Sequence, residues 1–188
     1  MSVEIYKCFV ASPNDTTAER EACDRVFNEL NAGIGKHLNF RIESWRWENN
    51  SRPSFGTDGQ SVINEQVGDD YQLFIGIMYK KFGTPTPRAG SGTEEEFNIA
   101  YNRYVKNEQV EIMIYFNNEP VSIRDIDPIQ LAKVNEFRDK IAALGGLYGE
   151  YKGTSDFEEK LRNHLQAFFL QKKLNCNLIQ AAKATVAY

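Results

Sequence analysis

Apolar positions along the chain switch between the two periods that separate strands from helices. Residues 3–11 carry apolar side chains on both parities (Ile5, Tyr6, Cys8, Phe9, Val10), the pattern of a strand buried on both faces. The turn formers Ser12-Pro13-Asn14-Asp15 stop it. Thr16-x-x-Glu19 then reads as a capping box for a helix with the stripe Cys23, Val26, Phe27 and Leu30, ended by Gly33 and Gly35. Residues 40–47 alternate apolar and polar, which predicts a half-buried strand at a sheet edge. Residues 48–60 show no period and predict a long loop, and 61–67 a short helix. The most apolar run, 71–79, predicts a central strand, in which Gly76 would admit close approach of backbone or ligand. After a Gly/Pro-rich loop, Phe97, Ala100, Tyr101 and Tyr104 mark a helix that Thr93-x-x-Glu96 can cap. Residues 109–116 form a fourth strand. Asp127-Pro128 opens a helix with Leu131, Val134, Phe137, Ile141 and Leu144 on its apolar face, stopped by Gly145-Gly146. A weak fifth strand at 147–151 and a last helix, capped by Ser155-x-x-Glu158 with the stripe Phe157, Leu161, Leu165 and Phe168, complete the pattern.

Strands alternating with helices imply parallel βαβ units. Five of them predict an α/β, flavodoxin-like doubly wound sheet with strand order 2-1-3-4-5. Its ligand crevice lies where the order reverses, between the first and third strands. Residues 12–15, 79–83 and 91–96 converge there, and the loop after the second strand can fold over them.

Composition narrows the functional classes. The chain has 188 residues, 41% hydrophobic and 26% charged, which is globular and sized for one domain. The net charge of −4 and the absence of a Lys/Arg cluster argue against nucleic acid as a partner. No apolar run reaches membrane-spanning length, and the chain enters its first strand without a basic and apolar leader, so no membrane association and a cytoplasmic location are expected. Cys8, Cys23 and Cys176 have no metal-ligand spacing; the first two fall in apolar patterns and are expected to be reduced core residues. A domain at 1–173 followed by a weakly amphipathic tail or linker at 174–188 is expected, the tail leading to a further domain or serving self-association.

No Gly-x-Gly-x-x-Gly or Gly-Lys-Ser/Thr cradle occurs, and no metal set. His37 falls in a loop and His164 beside a helix stripe, neither a catalytic position. Carboxylates, amides, hydroxyls and aromatics remain. Trp45, Trp47, Tyr79 and Phe82 can offer a stacking surface, and Arg46 and Arg52 can meet phosphate oxygens; for the tryptophans packing, and for Arg52 simple solvation, are the alternatives. Glu96 can act as a helix cap or as a site carboxylate. One carboxylate with aromatic stacking and no metal suits cleavage of an N-glycosidic bond, where it opposes an oxocarbenium-like sugar; this chemistry leaves the substrate open.

Phe9-Val10-Ala11-Ser12-Pro13-Asn14-Asp15 followed by Glu19-Arg20-Glu21 resembles the opening of bacterial TIR-like (Toll/interleukin-1 receptor-like) domains. Ile75-Gly76-Ile77-Met78-Tyr79-Lys80-Lys81-Phe82-Gly83-Thr84 and Ser91-Gly92-Thr93-Glu94-Glu95-Glu96-Phe97 resemble that group's third strand and following helix. The resemblance covers roughly 1–171. It implies a TIR-like fold and hydrolysis or cyclisation of NAD, with NAD as substrate and no cofactor. It further implies an effector of anti-phage defence that becomes active on self-association and carries a sensor domain in the full-length chain. It places Glu96, a few residues beyond Ser91, as the key glutamate, with Glu94 and Glu95 as neighbouring registers. Ser12 and Asn14 match the loop lining the nucleotide site, Ser91 is a further substrate-binding candidate, and Trp47 and Tyr79 are looser substrate-binding matches. The Trp-Cys pair typical of eukaryotic members is replaced by Gly-Thr-Glu. A non-catalytic TIR-like interaction module and a nucleoside deoxyribosyltransferase-like enzyme with a nucleophilic glutamate are the alternatives.

Overall fold

The computed structural model describes residues 2–46 and 50–186, with side chains through Leu178. Five strands form one parallel sheet in the order β2-β1-β3-β4-β5: β1 (Glu4–Ala11), β2 (Phe40–Trp45), β3 (Leu73–Met78), β4 (Glu111–Asn117) and β5 (Gly149–Tyr151). This is the doubly wound order expected from the alternation. β1 lies between β2 and β3, with Glu4 opposite Phe40 and Cys8 opposite Leu73.

Both faces of the sheet are buried, which is why β3 has no polar position. Tyr6, Cys8 and Val10 of β1 and Leu73, Ile75 and Ile77 of β3 face one layer, formed by α1 (Thr17–Ala32) and α6 (Gly153–Val186). Phe9 and Ala11, with Phe74 and Met78, face the other, formed by α4 (Gly92–Val105) and α5 (Pro128–Ala143). The close approach at Gly76 is made by the protein itself: a Cβ there would lie 2.7 Å from Ile114 Cδ1, so the glycine serves sheet packing rather than a ligand. The edge strand β2 is covered by a side chain. Asn31 Nδ2 donates to the Ile42 carbonyl at 2.9 Å and its Oδ1 accepts from the Ile42 amide at 2.7 Å, which occupies backbone groups that an edge would otherwise offer to another chain.

Several local expectations are corrected. Thr16 makes no side-chain cap bond; its hydroxyl donates to the Pro13 carbonyl at 2.8 Å, and Glu19 is buried. His37 lies in a short helix, α2 (Ile34–Leu38), not in a loop. The last helix starts at Gly153, ahead of Ser155, and Glu158 accepts from Arg25 Nε at 2.7 Å instead of reaching back. Its core stripe ends on Phe169, which stacks on Phe40 at 3.8 Å, while Phe168 is only partly buried. The same helix continues through Val186, so residues 174–186 extend it, with Leu174 and Leu178 exposed. His164 sits on the helix surface as expected, hydrogen-bonded through Nδ1 to the Tyr115 hydroxyl at 2.8 Å. Cys8 and Cys23 are buried free thiols whose pKa values burial pushes up.

Leu161 is fully buried between α1 and the sheet. Leu161→Ala is expected to cost about 2–5 kcal/mol, the range for a truncated core leucine whose neighbours relax only partly. Urea unfolding should show a lower midpoint with an unchanged slope.

Candidate active site

The C-terminal ends of β1 and β3 open into a cleft of about 690 Å³. One wall is the loop after β1, which contributes Ser12, Pro13 and Asn14. It is braced from behind: Arg20 Nη1 donates to Ser12 Oγ and to the Pro13 carbonyl, each at 2.8 Å. Ser12 Oγ accepts that bond, and its own proton remains to donate elsewhere. Asp15 ties this loop to the next, since its Oδ2 accepts from the amides of Lys80 at 3.2 Å and Lys81 at 2.9 Å. The far side of that second loop is fixed by Gln130, whose Oε1 accepts from the amides of Phe82 at 2.8 Å and Gly83 at 3.0 Å. Gly83 has φ 104°, a left-handed conformation that suits glycine. The loops that line the cleft are therefore set by buried or half-buried side chains.

The opposite wall is the start of α4, where Gly92, Thr93 and Glu96 line the cleft. The helix begins earlier than Thr93-x-x-Glu96 suggested. Ser91, extended at φ −159° and ψ 165°, is the N-cap, and its Oγ accepts from the Glu94 amide at 3.1 Å. This register separates the three glutamates. Glu94 reaches back to the Gly90 amide and across to Lys140 Nζ, both at 2.8 Å. Glu95 is buried and accepts from Arg88 Nε at 2.6 Å, Asn64 Nδ2 at 2.7 Å and Thr86 Oγ1 at 2.5 Å. Glu96 has no capping position. Its side chain is 5% exposed, lines the cleft, and accepts from Gln60 Nε2 at 2.9 Å.

The roof is α3 (Gly59–Val67), capped by Asp58, which accepts from the Ser61 amide at 3.0 Å. None of its residues is fully buried. Polar links therefore carry its attachment to the start of α4: Gln60 to Glu96, Asn64 to Glu95, and Asp58 to Arg88, whose Nη1 and Nη2 reach the two carboxylate oxygens at 2.8 and 3.1 Å. Hydrophobic periodicity does not report such pairs. The Asp58-x-x-Ser61 cap was the available sign that the helix begins earlier than residue 61.

The Arg88 guanidinium, then the Ser61 amide, hold the Asp58 carboxyl down at about 2 from its usual 3.8. A depressed folded-state value means that this clamp stabilises the fold fully above about pH 4 and is lost as pH falls through about 2. Amide exchange in α3 should stay slow down to about pH 3 and accelerate on further acidification; exchange independent of pH in that range, after correction for intrinsic rates, would remove the clamp from this account.

The structure brings Ser12, Asn14, Phe82 and Glu96 to one cleft and leaves other candidates outside it. Ser91 is fully buried under its capping bond. Tyr79 is directed away, its hydroxyl donating to the Glu119 carbonyl at 3.3 Å. Trp47 lies outside the described residues. Trp45 packs edge-on against Phe9, with ring centroids 5.3 Å apart. Phe82 lines the cleft but is buried, packed against Phe137 at 5.9 Å between centroids. Arg46 pairs with Asp24, and the Arg52 amide donates to Gln66 at 2.8 Å. The aromatic stacking surface is thus not assembled among the described residues. No group of three or more His, Cys, Asp or Glu that could hold a metal occurs among the described residues, and no described helix is long and apolar enough to cross a membrane.

Residues 7–166 match a family described as "Domain of unknown function (DUF4062)". The chain belongs to this DUF4062 family. The matched span runs from β1 into α6 and includes every segment that lines the cleft. No curated protein matches the chain. Among solved structures, it is similar to translation elongation factor SelB from Methanococcus maripaludis in its apo form, at 14% identity and a TM-score of 0.49, covering 90% of this chain and 35% of that one. It is also similar to S. aureus homoserine dehydrogenase at 9% identity and a TM-score of 0.34, covering 79% of this chain and 33% of that one. The DUF4062 chain thus spans about a third of the length of each.

Proposed function

We propose that this DUF4062 chain is a TIR-like enzyme that cleaves the nicotinamide–ribose bond of NAD, with Glu96 as the catalytic carboxylate. The observation that carries the reading is the placement of the two motif segments. The loop with Ser12 and Asn14 and the start of α4 with Glu96, far apart in sequence, form facing walls of one cleft at the switch point of the sheet. Glu94 is engaged by the Gly90 amide and Lys140, and Glu95 by Arg88, Asn64 and Thr86, whereas Glu96 lines the cleft and accepts from Gln60.

The chemistry asks little beyond that carboxylate. As the C1′–N bond breaks, its electron pair moves to the pyridinium nitrogen, which leaves as neutral nicotinamide and needs no general acid. Glu96 opposes the positive charge that develops on C1′ and the ring oxygen, and the low-dielectric wall around it strengthens that interaction. Water adds at C1′ and loses its proton to solvent, giving ADP-ribose; attack by a group of the same molecule would give a cyclic isomer. Ser12 and Asn14 are assigned to the sugar hydroxyls or the nucleotide. The resemblance to TIR-like effectors extends the proposal to anti-phage immunity, to activation by self-assembly and to a sensor domain in a longer chain. Nicotinamide release from NAD by the purified chain at high concentration tests the reading, with chromatography distinguishing ADP-ribose from a cyclic product. Release dependent on Glu96 supports it. Absence of release at every concentration and assembly state would favour a non-catalytic interaction module, and base exchange on deoxynucleosides a deoxyribosyltransferase-like enzyme.

A further inference from the structure

We infer that Lys81 is the cation that recognises the diphosphate of a dinucleotide in this cleft, an inference that rests on the NAD reading of the same site. Among the described residues, those lining the cleft include three carboxylates, Asp58, Glu96 and Asp127, and a single lysine or arginine, Lys81. An anionic substrate entering among acidic groups needs a counter-charge. The carboxylates already have donors: Asp58 has Arg88, Glu96 has Gln60, and Asp127 caps α5 by accepting from the amides of Ile129 at 2.9 Å and Gln130 at 3.1 Å. The neighbouring arginines are committed as well. Arg88 is held between Asp58 and Glu95, and Arg20 braces Ser12 and Pro13.

Lys81 differs from both. Its side chain is exposed, and its ammonium forms no ion pair among the described residues. Its backbone is fixed, because the Lys81 amide donates to Asp15 and the next two amides donate to Gln130. A positioned backbone carrying an uncommitted ammonium beside Ser12–Asn14 suits a phosphate group of the nucleotide while the nicotinamide ribose reaches Glu96.

The test separates this assignment from the reaction itself. On the Glu96→Gln chain, where turnover does not interfere, calorimetry compares NAD with nicotinamide riboside, which lacks phosphate, with Lys81 intact or changed to Gln or Glu. Lys81→Gln is expected to weaken NAD binding about 10-fold. Lys81→Glu should weaken it further, added salt should shrink the difference, and riboside affinity should change by less than about 2-fold. Nicotinamide mononucleotide, with one phosphate, should fall between the two. Equal losses for NAD and the riboside would make Lys81 a structural residue, and unchanged NAD affinity, or no NAD binding with Lys81 intact, would also overturn the inference. Turnover by the unsubstituted chain is scored separately: NAD binding that depends on Lys81 without any nicotinamide release would keep this assignment and remove the hydrolase reading.

Discussion

Glu96→Gln is expected to lower nicotinamide release from NAD by about 10²–10³-fold, the loss typical of removing one electrostatic stabiliser of a developing charge. The substitution keeps the side-chain shape, and its amide oxygen can still accept from Gln60 Nε2, which lies 2.9 Å from Glu96 Oε1. The unfolding midpoint should therefore stay close to that of the parent chain, so that lost activity reports on chemistry rather than on folding. The neighbouring glutamates serve as controls with a different signature. Glu95→Gln disturbs the bonds to Arg88, Asn64 and Thr86 and should weaken the attachment of α3, whereas Glu94→Gln disturbs the contacts with Gly90 and Lys140. If Glu96→Gln retained parental turnover while Glu95→Gln lost it, the carboxylate would have been assigned one register too late.

That register is where sequence reading and structure part. Ser91-x-x-Glu94 and Thr93-x-x-Glu96 both satisfy the capping signature, and Gly90 and Gly92 allow the chain to enter the helix at either serine or threonine. Which hydroxyl caps is decided by tertiary packing: Ser91 is fully buried beneath the loop after β3, while Thr93 is turned to the cleft. The outcome releases Glu96 from the cap role that made its structural reading plausible. The sheet was legible for the opposite reason. Strands covered on both faces must be apolar at every position, so β1 and β3 stand out without tertiary information, and regular alternation with helices then leaves few topologies.

The roof of the cleft was not legible because it is held by polar side chains across long sequence separations. Gln60 and Glu96, Asn64 and Glu95, and Asp58 and Arg88 have no shared periodicity, and α3 contributes no fully buried residue that would mark its packing face. Tyr79 was misplaced for a related reason. It follows the last residue of β3, where strand alternation no longer dictates direction, and its hydroxyl goes to Glu119 beyond β4. Phe168 and Phe169 illustrate the limit of stripe counting, since adjacent aromatics at the end of a helix compete for the core and here Phe169 takes it against Phe40.

Gln60→Glu is expected to reduce kcat by about two orders of magnitude with a near-parental unfolding midpoint. Gln60 Nε2 bridges Glu96 Oε1 at 2.9 Å and Asn64 Oδ1 at 3.0 Å. Its other amide atom stands over the start of α4, so close that a Cβ on Gly92 would lie 2.5 Å from Gln60 Oε1. The substitution preserves shape but removes the donor and sets a second carboxylate against the first. Two like charges about 4 Å apart repel by about 4 kcal/mol at an effective dielectric constant of 20. The repulsion can be relieved without unfolding, because α3 has no fully buried residue and can move away from α4, or it can be relieved by a shared proton that neutralises Glu96. Either response removes the oriented anion that the reaction requires. Gln60→Leu, which deletes the donor without adding charge, should fall between the parent and Gln60→Glu. The signature of a positioning residue is a drop in kcat larger than any change in KM, accompanied by faster amide exchange confined to α3. Parental kcat in Gln60→Glu, with α3 exchange unchanged, would show that Glu96 keeps its orientation without Gln60 and that the roof has no part in the chemistry.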